Sequence, residues 1–240
     1  MATDSDASMA ATGLRRGRRR AKGAATRDAI LRAAVDLASR NGLAGLTIGD
    51  LAKAASMSKG GVQGRFGSKF ELQRATAESA GEAMEREVFA PTLAVAPGLK
   101  RLMALCENFM SYSERTGFSA SCFFDKAAAE ASAKPGTLRD LIRTLYAAFA
   151  YRIADCARAA QALGELDASA DPQQLAFEFT AFMREAARLF LLDDDPTHFI
   201  RARFAIVRCL RPLLTAKSPS LPDVRPPKRR ERIAAAMRRK

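Results

Sequence analysis

The residues from Ser58 to Phe66 (SKGGVQGRF) combine hydrogen-bonding side chains with almost no bulk. Gln63 has the amide to pair bidentately with an adenine edge, and Lys59 and Arg65 can reach guanine or a phosphate. Gly60, Gly61 and Gly64 each cost about 1 kcal/mol in a helix relative to alanine. Either they let the backbone approach a flat surface closely, or they leave an irregular turn. Shortly after, Ser68-Lys69-Phe70-Glu71 reads as a capping box. Lys69 in its first turn places an ammonium beside free backbone N–H groups, which suits a phosphate.

Such side chains act together only if something holds their segment. Eight-residue helices do not persist alone, because nucleation is costly. Thr47, with Asp50 three residues on, opens a first short helix to Ala54 and is itself a candidate DNA contact, and Ser58 caps a second to Phe66. Ala55-Ser56-Met57 joins them, and Leu51, Ala52, Met57, Val62 and Phe66 supply apolar contacts. This spacing predicts a helix-turn-helix whose second helix presents Ser58, Lys59, Gly60, Gly61, Gln63, Gly64 and Arg65 outward. A preceding helix from Thr26 ends at Asn41-Gly42, with Ile30, Leu31, Ala34, Val35, Leu37 and Ala38 on one face. A following helix runs from Ser68 to about Phe89.

Beyond Pro91 and Pro97-Gly98 the pattern predicts long helices over Leu99–Arg115, Phe123–Ala133, Thr137–Leu163, Pro172–Leu192 and Pro196–Leu214. The expected fold is all-α: a three-helix N-terminal domain with the helix-turn-helix, then a larger helical bundle. The expected divisions are a disordered basic arm (1–25), the helix-turn-helix domain (26–90), the bundle (91–216) and a disordered basic tail (217–240). The end of that tail, Glu231–Arg239, could form a basic helix against a polyanion.

The formal charge is +13 over 240 residues, and it is unevenly placed. Residues 1–27 carry seven Lys/Arg against Asp4 and Asp6, and residues 217–240 carry nine against Asp223 and Glu231, so the body between them is +1. Two basic ends on a neutral body suit a polyanion, since neutralised phosphates release counterions. They also serve simply as solubilising ends. Cys106, Cys122, Cys156 and Cys209 lie far apart without a CxxC, so neither a metal site nor a disulfide framework is expected, and a reducing cytoplasm fits. The start lacks a secretory signal, and the longest charge-free run, Val88–Leu99, is too short and proline-broken to span a bilayer. One histidine, His198, and no nucleophile triad, phosphate loop or paired carboxylates argue against an enzyme. No cofactor is implied.

The stretch Thr26–Leu72, including LTIGDLAKAASMSKGGVQGRFGSKFEL, resembles the N-terminal domain of TetR-family one-component repressors. SASCFF (Ser119–Phe124) is similar to a GGCFF-type stretch of one subgroup. The resemblance implies a homodimer through the helices around 172–192 and 196–214. It also implies a palindromic DNA operator and an effector pocket in the larger domain, whose occupation spreads the DNA-binding heads. Phe109, Met110, Phe118, Cys122, Phe123, Tyr146, Phe149, Phe177 and Met183 are candidates to line that pocket, and at helical spacing equally serve as plain core. Cys122 is either a redox sensor or a structural thiol. The chain departs from the family where an aromatic, most often Tyr, usually stands (here Gln63, often also Gly64) and at the turn glycine (here Ser56). The alternative is an architectural or RNA-binding protein acting through its basic ends.

Overall fold

The computed structural model describes the backbone of residues 4–116, 121–132 and 136–226, and side chains from Gly23 onward except those of Ser121 and Cys122. The helices are α1 (Asp4–Asn41), α2 (Ile48–Ala54), α3 (Lys59–Phe66), α4 (Lys69–Met84), α5 (Ala90–Leu93), α6 (Leu99–Thr116), α7 (Ser121–Ser132), α8 (Thr137–Ala162), α9 (Pro172–Asp193) and α10 (Thr197–Leu210). Among the described residues there is no strand, only an isolated bridge between Leu166 and Leu214.

Two apolar clusters organise them. The smaller joins α1 to α4 through Ile30, Leu31, Ala34, Leu46, Leu51, Ala52, Val62, Phe66, Leu72 and Ala75. The larger runs from the end of α1 and the far half of α4 through α6–α10, with Phe123, Phe179, Phe199 and Met183 fully enclosed. Helix α4 therefore belongs to both, and one rigid element crosses from one core to the other.

The caps explain the short helices. Thr47 Oγ1 accepts from the Asp50 amide at 3.1 Å and donates to its carboxylate at 2.6 Å. Ser58 Oγ accepts from the Gly61 amide and Ser68 Oγ from the Glu71 amide, each at 3.1 Å. These bonds satisfy orphan donors of the first turn, worth about 1 kcal/mol each.

Three expectations are corrected. Helix α1 begins at Asp4 rather than Thr26, so the stretch read as an arm is helical backbone; its Ala, Arg, Lys and Met are strong helix formers. The long helix does not stop before Pro91. A π-helical turn, Glu85–Phe89, carries it into α5. The carbonyl of Val88 there takes the Thr92 hydroxyl (2.7 Å) and the Asn108 amide, so the disturbed ladder remains satisfied. Finally, α10 ends at Leu210 in a 3-10 turn containing Pro212, and the chain beyond is held rather than loose. Thr215 and Ser218 donate to the carbonyls of Gly164 and Glu165, and Leu221 packs on the large core. Residues 227–240, with the expected basic helix, lie outside the described residues.

Candidate nucleic-acid interface and ligand cavity

Helix α3 rests on the small core by Val62 and Phe66, which leaves its other face to solvent. Ser58, Lys59, Gly60, Gln63, Gly64 and Arg65 are exposed and Gly61 is half-buried. A Cβ at Gly60 or Gly64 would meet nothing within 4 Å, so packing inside the protein does not require these glycines. They keep the exposed face low. Arg65 bonds back to the Gly61 carbonyl at 2.7 Å, and the Lys59 side chain lies along Gly49 of α2. Ser56 in the turn adopts φ +52°, the left-handed geometry that glycine takes most cheaply.

Two expected contacts have internal duties. Thr47 is exposed, but its hydroxyl caps α2. Lys69 is exposed too, with its ammonium 2.8 Å from the Ala44 carbonyl, where it braces the turn between α1 and α2. That turn is also gripped from the larger unit. The Glu130 carboxylate accepts from the Ala44 amide at 3.0 Å, and the Lys126 ammonium donates to the Arg40 carbonyl at the end of α1. Gly42 suits this turn by its φ of +78°, and the Glu130 carboxylate occupies the space where a Cβ would stand, so a side chain here would have to push that carboxylate aside.

A cavity of about 110 Å³ lies where α4, α6, α7, α8 and α9 meet, lined by Gly81, Met84, Phe89, Phe109, Phe124, Leu145, Ala148 and Phe149, with Glu85, Arg152 and Arg184 as polar wall. Arg152 pairs with Glu85 at 2.7 Å and lies 4.2 Å over the Phe89 ring. Arg184 pairs with Asp125 at 2.5 Å, lies 3.7 Å over the Tyr146 ring, and keeps a buried Nε with no acceptor.

Of the residues expected to line a pocket, Phe109 and Phe149 do so, their rings 4.6 Å apart. Tyr146 acts one layer back, under Arg184. Met110, Phe123 and Met183 are buried in the large core and are not among the cavity-lining residues. Phe177 is 70% exposed and is excluded from the pocket, because α9 turns it to solvent. Phe118 lies outside the described residues, as does the side chain of Cys122. Sequence reasoning missed Arg152 and Arg184. Their signal was an arginine within apolar helical rows, as in Ala176-Thr180-Arg184-Ala187. Burial raises the Cys106 and Cys156 thiols above their ordinary range, which makes both poor nucleophiles. His198 Nε2 sits 2.9 Å from the Asp193 carboxylate and ties the turn between α9 and α10.

A family model described as bacterial regulatory proteins of the tetR family matches residues 30–76, and one described as a tetracyclin repressor-like C-terminal domain matches residues 98–206. The chain belongs to the TetR family of transcriptional regulators. As a TetR-family protein it is a helix-turn-helix, DNA-binding regulator of transcription. Similar solved structures include a TetR regulator from Chloroflexus aurantiacus, 27% identical, covering 81% of this chain and 99% of that one with a TM-score of 0.72. Another is regulatory protein TetR from Rhodobacter sphaeroides, at 25%, 76% and 97%, and 0.66. AibR, solved with isovaleryl coenzyme A and operator DNA, shares the fold at 22% identity, 67% and 84% coverage and 0.55. No curated protein matches the chain. Among the described residues no helix is long and apolar enough to cross a membrane.

Proposed function

We propose that this regulator is a cytoplasmic homodimeric repressor that holds a palindromic operator through α3 and lets go when a small molecule fills the cavity. The observation that carries the reading is the outward face of α3, where Lys59, Gln63 and Arg65 stand exposed above two core side chains and between glycines with nothing over them. Gln63 then reads a base pair, Ser58, Lys59 and Arg65 serve base edges or phosphates, and Gly60, Gly61 and Gly64 admit the backbone. Lys69 and Thr47 position the motif and touch phosphate only secondarily.

Dimerisation through α9 and α10 is supported by an open groove between them, lined by Ala181, Phe182, Leu189, Ala202 and Ala205. Phe177 and Leu192 on α9 are exposed as well. A small regulator gains by covering such apolar surface.

Helix α7 supplies a route from cavity to DNA. Phe124 lines the cavity and Asp125 holds Arg184, while Lys126 and Glu130 hold the end of α1 and the turn after it. A ligand that moves the first pair disturbs the second within about a turn of helix.

The test is footprinting on DNA upstream of the protein's own gene, with half-sites about 34 Å or a multiple apart. Gln63→Ala loses roughly 1–3 kcal/mol of discrimination at one base pair. Equal loss on all sequences reassigns Gln63 to the backbone, and a uniform footprint overturns operator reading. For the effector, a thermal-shift panel of neutral, cationic and anionic small molecules should contain one that raises Tm and releases DNA. Ala148→Trp, which fills the cavity, should abolish both responses.

A further inference from the structure

We infer that the cavity takes a small carboxylate carried on a single aromatic ring, with its anion on Arg184; this rests on the reading of the cavity as the effector site. The walls choose the ring. Phe89, Phe109, Phe124 and Phe149 surround the space, and about 110 Å³ is on the scale of an apolar cavity of ~150 Å³ that holds one benzene. Stacked and edge-on ring contacts favour an aromatic over a flexible chain of equal volume.

The polar wall chooses the charge. Its charged groups are Arg152, Arg184 and Glu85, and with Asp125 on Arg184 the charges balance, so what is left over is a single donor. Arg152 and Glu85 satisfy each other, and Phe89 lies against the Arg152 guanidinium. Arg184 is different. Its Nη1 is held by Asp125 and its face by Tyr146, so the group is fixed, yet its Nε is buried and donates to nothing. A buried donor without an acceptor is unfavourable, and a ligand oxygen relieves it. The Nε edge of a guanidinium takes a carboxylate through two parallel bonds. The same protein uses that edge twice: Arg203 grips Glu107 through Nε and Nη2 at 2.7 and 2.6 Å, and Arg188 grips Glu185 at 2.9 and 2.8 Å. Arg184 lines the cavity and its Nε has no acceptor; that atom is covered in this structure, so a carboxylate that pairs with it must first shift a covering side chain. An anion there also competes with Asp125, the α7 residue one position before Lys126.

Calorimetry and thermal shift on the full chain, with benzoate and phenylacetate against benzamide and phenylacetamide, test this. At least one acid should bind tenfold or more tighter than its amide and raise Tm with concentration. Arg184→Gln should bring the acid down to the level of the amide and leave the amide within about twofold. Arg184→Lys, which keeps the charge without the paired edge, should fall between. Equal binding of acid and amide, no binding by either acid, or an acid preference that survives Arg184→Gln overturns the inference. If Arg184→Gln does not fold, the wild-type ratio and Arg184→Lys decide. Should a neutral molecule bind instead and Ala148→Trp block it, the carboxylate assignment falls while the cavity keeps its role. A DNA-releasing molecule indifferent to Ala148→Trp would remove the role itself.

Discussion

The two ends of α4 sit in different kinds of structure. Around its start, the head is held, among the described residues, by ten buried apolar residues, three side-chain caps and a braced turn, and the caps can be read within three residues of their partners. Around its far end, the body's cluster comprises thirty-six buried residues among those described, drawn from α1, α4, the π turn, α6–α10 and the turns between them, and its polar groups meet across long sequence separations. The head is built to hold one face steady. The body encloses space, orphans a donor and interrupts its own helix with a π turn. On the proposed reading this difference has a use: recognition wants a fixed surface, and response wants a place where a ligand finds work unfinished.

The strongest way to break the contrast is Val62→Asp. Val62 is fully buried in the smaller core, and an unpaired charge there costs at least about 3 kcal/mol. Against so few apolar residues this should abolish the head, and DNA binding with it, while the helical signal of the body survives to a second, higher-melting transition. A single melt in which both parts unfold together would mean that α4 welds them into one cooperative unit.

A smaller effect sits at their junction. Glu130→Ala removes the acceptor of the Ala44 amide, a charge-assisted bond worth about 1–2 kcal/mol. Hydrogen exchange should quicken at Gly42–Leu46 and hardly change in α9. Operator affinity should move less than the response to effector does. The reverse result would place the coupling in α4 alone.

The head was legible because its signals are local. Thr47, Ser58 and Ser68 cap where their types predict, Asn41-Gly42 stops α1 with Gly42 at positive φ, and Val62 and Phe66 turn inward at helical spacing. The body's helices were legible too, through Pro172, Pro196 and Gly164. Its cavity was not. Whether an aromatic residue in an apolar row lines space or fills it depends on the facing helix, so Phe109 and Phe149 line the cavity while Phe123 and Met183 are buried away from it. Lys69 shows the same limit inside the head: its exposed position is local information, but its partner Ala44 lies 25 residues away.

Backbone strain gives a finer comparison, since among the described residues each region holds one non-glycine residue in the left-handed conformation: Ser56 at φ +52° and Asp194 at φ +51°. An L-residue there costs roughly 1–2 kcal/mol, partly offset because glycine has more unfolded-state entropy to lose. Ser56→Gly should therefore stabilise the head by up to about 1 kcal/mol. Asp194→Gly should gain less, because aspartate tolerates this geometry better. Denaturation of the two variants side by side checks the order; an equal gain would show the two turns equally strained, and no gain in either would show that neither is.

The smallest effect concerns pH and belongs to the body. Arg203 on α10 grips the Glu107 carboxylate on α6 with two bonds, and that hydrogen bonding holds Glu107 below the usual carboxylate range; burial opposes the shift, while the charge of Arg203 and the Ser111 hydroxyl reinforce it. A carboxylate with a lowered folded pKa contributes its stability above its ordinary pKa and loses it as pH falls through the folded value. Glu107→Gln should thus lower Tm near neutral pH by a degree or two at most, as the pair is half-exposed and screened. The gap from the native protein should close as pH falls from about 5 toward 3. A gap constant with pH would mean that the two side chains contribute by packing α10 on α6 and not by charge.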